Sequence, residues 1–353
     1  MGLAVGSRRH GMSYPLFQWC FLIALFLGVF GQLSLGSGQS SGDPFVIRTI
    51  VVDKSGHGHF STIQAAVDAI PWNSQKWICI FVKAGLYEEK VIIPKEKPYI
   101  YLKGEGKRKT NVVWDDHDSV VQSPTFMSMA DNFFAKSITF TNSYNLPTGK
   151  NGNPRTPAVA AMIAGDNSSF YRCGFHGVQD TLWDFQGRHY FKRCTISGAV
   201  DFIFGSGQSI YDRCTIAATA ATLGPGLSGY ITAQGRSSPE ETNGFVFKGC
   251  NVVGTGTTLL GRPWRGYARV LFYNTNMSHI VVPRGWDAWY SASREHQLTF
   301  AEESCYGVGS DMSQRVEWVK KLSQEKVKEL TSMNFIGGDA WIRSQPRTRI
   351  LSY

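Results

Sequence analysis

With 42% hydrophobic and 18% charged residues, this 353-residue chain is too apolar for intrinsic disorder and can bury a sizeable core. Its 36 basic and 27 acidic residues give a net charge of +9, which points toward an acidic partner. Scattered histidines and seven cysteines without a CxxC pair argue against a zinc site.

The N-terminus has the pattern of an export signal. Arg8, Arg9 and His10 form a basic start, and residues 17–30 are apolar and uncharged. That run fits a signal sequence better than a membrane span, and small residues follow over 36–41. Residues 1–40 are therefore read as signal peptide and short linker, and 41–353 as one exported domain without membrane insertion. Removing Arg8 and Arg9 leaves +9 − 2 = +7. For an exported chain, an acidic polysaccharide is a better partner than nucleic acid. Two glycosylation sequons, at Asn167 and Asn276, agree with export.

"STIQAAVDAI" (residues 61–70) predicts a short helix capped by Ser61. "GHG" at 56–58 and "GEGKRK" from 104 read as turns. The middle of the chain then repeats itself. "FYRCGF", "YFKRCTI" and "IYDRCTI" place cysteines at 173, 194 and 214, steps of 21 and 20. "FKGCNV", with Cys250, is a fourth copy; "FYNTNM" is a fainter fifth, with Thr275 in the cysteine place; "AKSITF" (135–140) is a sixth candidate. A period of twenty-odd residues, carried by alternating aromatic and β-branched residues, predicts a solenoid of strands. The expected fold is all-β: a single-stranded, right-handed parallel β-helix with short capping helices. A second such helix is expected within 313–331.

The repeat gives meaning to two acidic residues. Asp180 and Asp201 are 21 residues apart, the step from Cys173 to Cys194. They should stand side by side on successive coils, about 4.8 Å apart. Strand alternation would turn Asp201 outward and its neighbours Val200 and Phe202 inward. Two carboxylates so placed do not ionise equally. Arg262 lies 13 residues before Thr275, as Asp201 lies 13 before Cys214, so it is expected on the same face. It would keep Asp201 ionised beside a protonated Asp180, an anionic nucleophile next to an acid. His176 and His189 flank this region and read as structural.

"GLYEEK" (85–90), "VQDTLW" (178–183), "VDFIFG" (200–205), "ITAQGR" (231–236) and "GRPW" (261–264) together resemble the signature blocks of plant pectinesterases. The resemblance runs from about Val51 to Ile342. It implies a pectin lyase-like β-helix that hydrolyses methyl esters of homogalacturonan, an acidic polysaccharide, in the cell wall. It implies no cofactor, a monomer, and proteinaceous pectinesterase inhibitors among the partners. By resemblance, Asp201 is the nucleophile, Asp180 the proton donor and acceptor, and Gln179 an oxyanion donor. Arg262 orients Asp201, Trp264 packs on the sugar, and Trp183, Val200 and Phe204 match subsite positions. Cys214 and Cys250 match a disulfide of the family, and the family's inhibitor-like pro-region is missing.

One position departs from the pattern. Where the family usually has a second oxyanion glutamine, "TPAVAAM" has Pro157, which offers neither an amide nor a backbone N–H. A weakly active or non-catalytic pectin-binding protein is the alternative this raises.

Overall fold

The computed structural model describes residues 46–146 and 153–346; the signal peptide and linker expected over 1–40 lie outside them. Three parallel sheets of 10, 8 and 7 strands run the length of the domain. The chain visits them in turn. Ser168–Tyr171 joins the first sheet, Gly174–His176 the second and Leu182–Asp184 the third. The next coil repeats the order with Arg188–Lys192, Thr195–Gly198 and Ile203–Gly205. This is the expected parallel β-helix.

The repeat is the packing unit. Phe170, Phe191, Tyr211, Phe247 and Phe272 are register partners on successive first-sheet strands. Their rings stack inside the helix with centroids 4.9, 4.7, 4.6 and 4.5 Å apart, the spacing of the strands themselves. Beside them runs a second ladder of Cys173, Cys194, Cys214, Cys250 and Thr275, all buried. Thr275 does occupy the cysteine place, and its hydroxyl accepts from Cys250 N at 3.3 Å. Cys305, whose thiol faces Phe272 O at 3.4 Å, follows in the next coil.

The ladder corrects one expectation. Cys214 and Cys250 are free thiols in this structure, not a disulfide. Each sulfur is directed at a backbone carbonyl of the preceding coil, Cys214 at Phe191 O (3.4 Å) and Cys250 at Tyr211 O (3.1 Å). Burial pushes the Cys214 and Cys173 thiols up, so both stay protonated.

Two helices are shifted from their expected bounds. The first spans Ile63–Asp68 with Thr62, not Ser61, as its cap; the Thr62 hydroxyl accepts from Ala65 N. The second is Gln324–Thr331, capped by Ser323, and covers only the end of the predicted stretch. Leu330 and Phe335 pack on the outer face of the first sheet against Tyr190, Ile210 and Val246. The second and third sheets are left to carry the site.

Candidate active site

The site lies where the chain turns from the second sheet to the third. Gln179 bridges to Val200 on the next coil, and Asp180 N donates to Val200 O at 3.0 Å. Asp180 and Asp201 are thus neighbours on adjacent rungs, as their 21-residue separation predicts. Their backbone differs from the expectation. Asp201 is not within a strand, since the third-sheet strand starts at Ile203. Both aspartates sit at the corner in left-handed conformation, with φ of 61° and 48°. That region is unfavourable for most side chains, and Asp is among those that tolerate it. The turn, not strand alternation, aims the carboxylates outward, while Phe202 is fully buried and Val200 half-buried.

Arg262 reaches Asp201 from two coils away. Nε donates to Oδ1 at 2.9 Å and Nη2 to Oδ2 at 2.5 Å, a bidentate ion pair. Its register differs from the sequence expectation. Arg262 pairs with Ala233, and Ala233 with Phe204, which puts it three residues beyond the rung of Asp201. The length of the arginine side chain closes that gap.

Three residues that the sequence did not single out hold Arg262. Its guanidinium lies 4.1 Å from the Tyr230 ring centroid and 3.9 Å from that of Trp289. Asp287 fastens both: Tyr230 Oη donates to its Oδ2 (3.2 Å), and Trp289 N donates to its Oδ1 (2.7 Å). Tyr230 abuts the "ITAQGR" block and "WDAW" is rich in aromatics, but both fall outside the regular period, which gave them no address.

The two carboxylates differ in what surrounds them. Burial pushes the Asp180 carboxyl up to about 8, helped by the nearby Asp201 charge and only partly countered by Arg262. Burial also raises Asp201, but the hydrogen bonds from Arg262 pull it back. No described side chain donates to Asp180. Asp180 is thus pushed toward its protonated form, while Arg262 favours the charged form of Asp201.

The outward face of the third sheet forms the adjoining floor. Trp183 and Phe204 stack with centroids 5.6 Å apart, and Phe204 meets Trp264 edge-on at 5.8 Å. The Trp183 indole N–H is buried without a partner. The Gln179 side-chain amide, half-exposed at the corner, makes no hydrogen bond within the described residues. Pro157 lies on the preceding coil, where Ala158 N donates to Gln179 O and Pro157 O accepts from Asp118 N. Asn167 and Asn276 lie elsewhere: Asn167 precedes a first-sheet strand, and Asn276 is in the second sheet.

The fold belongs to one class of enzyme. The structure is similar to a pectin methylesterase from carrot, with a TM-score of 0.78 and 30% identity over 87% of this chain and 97% of that one. It is also similar to an Aspergillus niger pectin methylesterase, with a TM-score of 0.72 and 28% identity over 88% and 98%. The sequence profile of the pectinesterase family matches residues 49–339. "Probable pectinesterase 29" of Arabidopsis thaliana is 60% identical over 85% of this chain and 90% of its own length; "Probable pectinesterase 55" is 56% identical over 84% and 91%. The chain belongs to the pectinesterase family, and it is a carboxylic ester hydrolase.

Proposed function

We propose that the protein, exported to the cell wall, hydrolyses methyl esters of homogalacturonan to pectate and methanol through Asp201 and Asp180. The observation that carries this is the bidentate Arg262 pair on Asp201 beside an Asp180 pushed up to about 8. An ionised Asp201 attacks the ester carbonyl carbon. The negative charge that develops on the carbonyl oxygen needs donors, and the unengaged Gln179 amide is suited to supply one. Collapse breaks the bond to the methoxy oxygen, which takes the Asp180 proton and leaves as methanol. Asp180, now ionised, takes a proton from water, and the hydroxide attacks the acyl–Asp201 anhydride. The uronic acid leaves and gives its proton to solvent, Asp201 is released ionised, and Asp180 carries the proton for the next cycle.

Trp183, Phe204 and Trp264 suit the faces of sugar rings, with Val200 at the corner beside them. Export, glycosylation at Asn167 and Asn276, a monomeric state and recognition by proteinaceous inhibitors belong to this same proposal.

Methanol release from highly methylated pectin tests it, with Asp201→Asn as the reference. The wild type should exceed that variant by at least about 10⁴-fold, the scale of losing a nucleophile. Equal rates would sink the proposal. Pectin binding without methanol would favour the alternative raised by Pro157, a binding protein that has lost its chemistry.

A further inference from the structure

At the opposite end of the second sheet, where the chain leaves the first, three arginines stand in file. Arg172, Arg193 and Arg213 each follow a first-sheet strand, one per coil. Their backbones stack directly: Arg172 N donates to Lys192 O at 2.9 Å, Arg193 N to Asp212 O at 2.9 Å and Arg213 N to Lys248 O at 2.8 Å. The rungs are about 4.8 Å apart. All three side chains are exposed.

Two features mark the file as more than solvated charge. All three residues are left-handed, with φ of 52°, 53° and 53°, in a turn where other coils place Ser137 and Ser304. The next two coils fill that place with Gly249 and Asn274, which suit it far better. The file is also poorly neutralised. Arg172 and Arg193 form no ion pair among the described residues, and Arg213 has only Asp212 at 3.8 Å. Further cations flank it. Lys107 reaches over the second sheet to the Thr195 hydroxyl (2.7 Å), and Lys192 shares Asp212 at 3.5 Å. Burial, with Lys103 and Arg172 nearby, pushes Lys136 down to about 8. Strain and like-charge repulsion are thus both tolerated at one corner.

We propose that this arginine file is a second binding site, for the de-esterified stretches of the polyuronate on which the enzyme acts. The inference rests on the proposed function. A methyl-esterified uronate carries no charge; each hydrolysed one exposes a carboxylate. The file therefore prefers product to substrate, and the width of the second sheet keeps it clear of Asp180 and Asp201. Bound product there tethers the enzyme to the polymer without filling its groove.

The test replaces the file as the chain itself does in the next coil, with Arg172→Gly, Arg193→Gly and Arg213→Gly together. Glycine relieves the left-handed strain, so folding should not suffer, and melting temperature checks that. Affinity for fully de-esterified polygalacturonate should fall about tenfold, or ~1.4 kcal/mol. Methanol release from short methylated oligouronides should be unchanged. A control with Lys95→Ser, Lys321→Ser and Lys328→Ser removes the same charge from other exposed positions and should bind within about twofold of wild type. Unchanged affinity in the glycine variant, or an equal loss in the control, would overturn the inference. Equal binding of phosphatidylserine vesicles, lost in the same variant, would reduce the file to a general anion patch and overturn it too. Should the wild type release no methanol while the polygalacturonate pattern holds, the esterase proposal fails and the site stands.

Discussion

Two aspartates four residues apart have opposite fates. Asp184 is fully buried inside the helix, and both of its oxygens are engaged, Oδ1 with His189 Nδ1 at 2.5 Å and Oδ2 with the Tyr211 hydroxyl at 2.6 Å. His189 Nε2 in turn meets Gly165 O at 3.0 Å. Burial and Asp184 push the Tyr211 hydroxyl up, so it stays a donor. Asp180 stands at the corner, half-buried and without a donor, and burial pushes it up to about 8. A buried carboxylate whose hydrogen bonds are complete is a structural part. One left incomplete at an opening is available for proton transfer. Burial alone does not separate the two; the hydrogen-bond count does.

The contrast can be broken by exchanging the damage. Asp184→Ala leaves His189 and Tyr211 facing a cavity, and loss of one partner in a buried polar cluster costs about 3–5 kcal/mol. The melting temperature should fall by on the order of 10 °C, with turnover per folded molecule within a few-fold of wild type. A variant of normal stability but lost activity would move Asp184 into the chemistry. Its neighbour Gly207 should be intolerant for the same reason. A Cβ there would lie within 1.9 Å of Asp184 Oδ1.

Proton occupancy sharpens the other half. In the proposed mechanism Asp180 holds its proton to release methanol, so kcat/KM should fall on the alkaline side with an apparent pKa of about 8. The acid limb, set by Asp201, should lie above its ordinary value of 3.8 because burial raises that carboxyl. Arg262→Gln should move the acid limb higher still. The sign for stability follows. A carboxyl raised in the folded state stabilises below its unfolded pKa of about 3.9, and that contribution is lost as pH rises through about 8. Asp180→Asn should therefore melt higher than wild type at pH 9 and show little difference at pH 4. The same difference at both pH values would mean that Asp180 is not raised.

How much of this was legible in the sequence depended on the period. The 20- and 21-residue steps gave the coil, the cysteine ladder with Thr275, and the Asp180–Asp201 pair. They did so because a β-helix converts sequence spacing directly into rung spacing. Side-chain direction at the corners was not legible, since left-handed turns override the alternation of strands. Nor was the true register of Arg262, because insertions separate its coil from the regular ones. Tyr230, Trp289 and Asp287, which hold that arginine, lie in the same irregular part. The Asp184–His189–Tyr211 cluster escaped notice because three residue types without a fixed spacing carry no local signature.

Pro157 sets the smallest of these effects and the most informative. By family resemblance its place should hold a glutamine that donates to the oxyanion, and proline can donate nothing there. Under the proposed mechanism Gln179 then carries the hole with whatever water enters. Where a hole is otherwise intact, removing one donor costs about 10²–10³ in kcat. Restoring one by Pro157→Gln should recover only part of that, about tenfold. The gain should appear in kcat with KM little changed, since the donor meets charge that exists only in the transition state. A fall in KM at constant kcat would make residue 157 a substrate contact. Unchanged kinetics would mean that Gln179 and its surroundings already complete the hole, and Pro157 would then be a neutral feature of the corner.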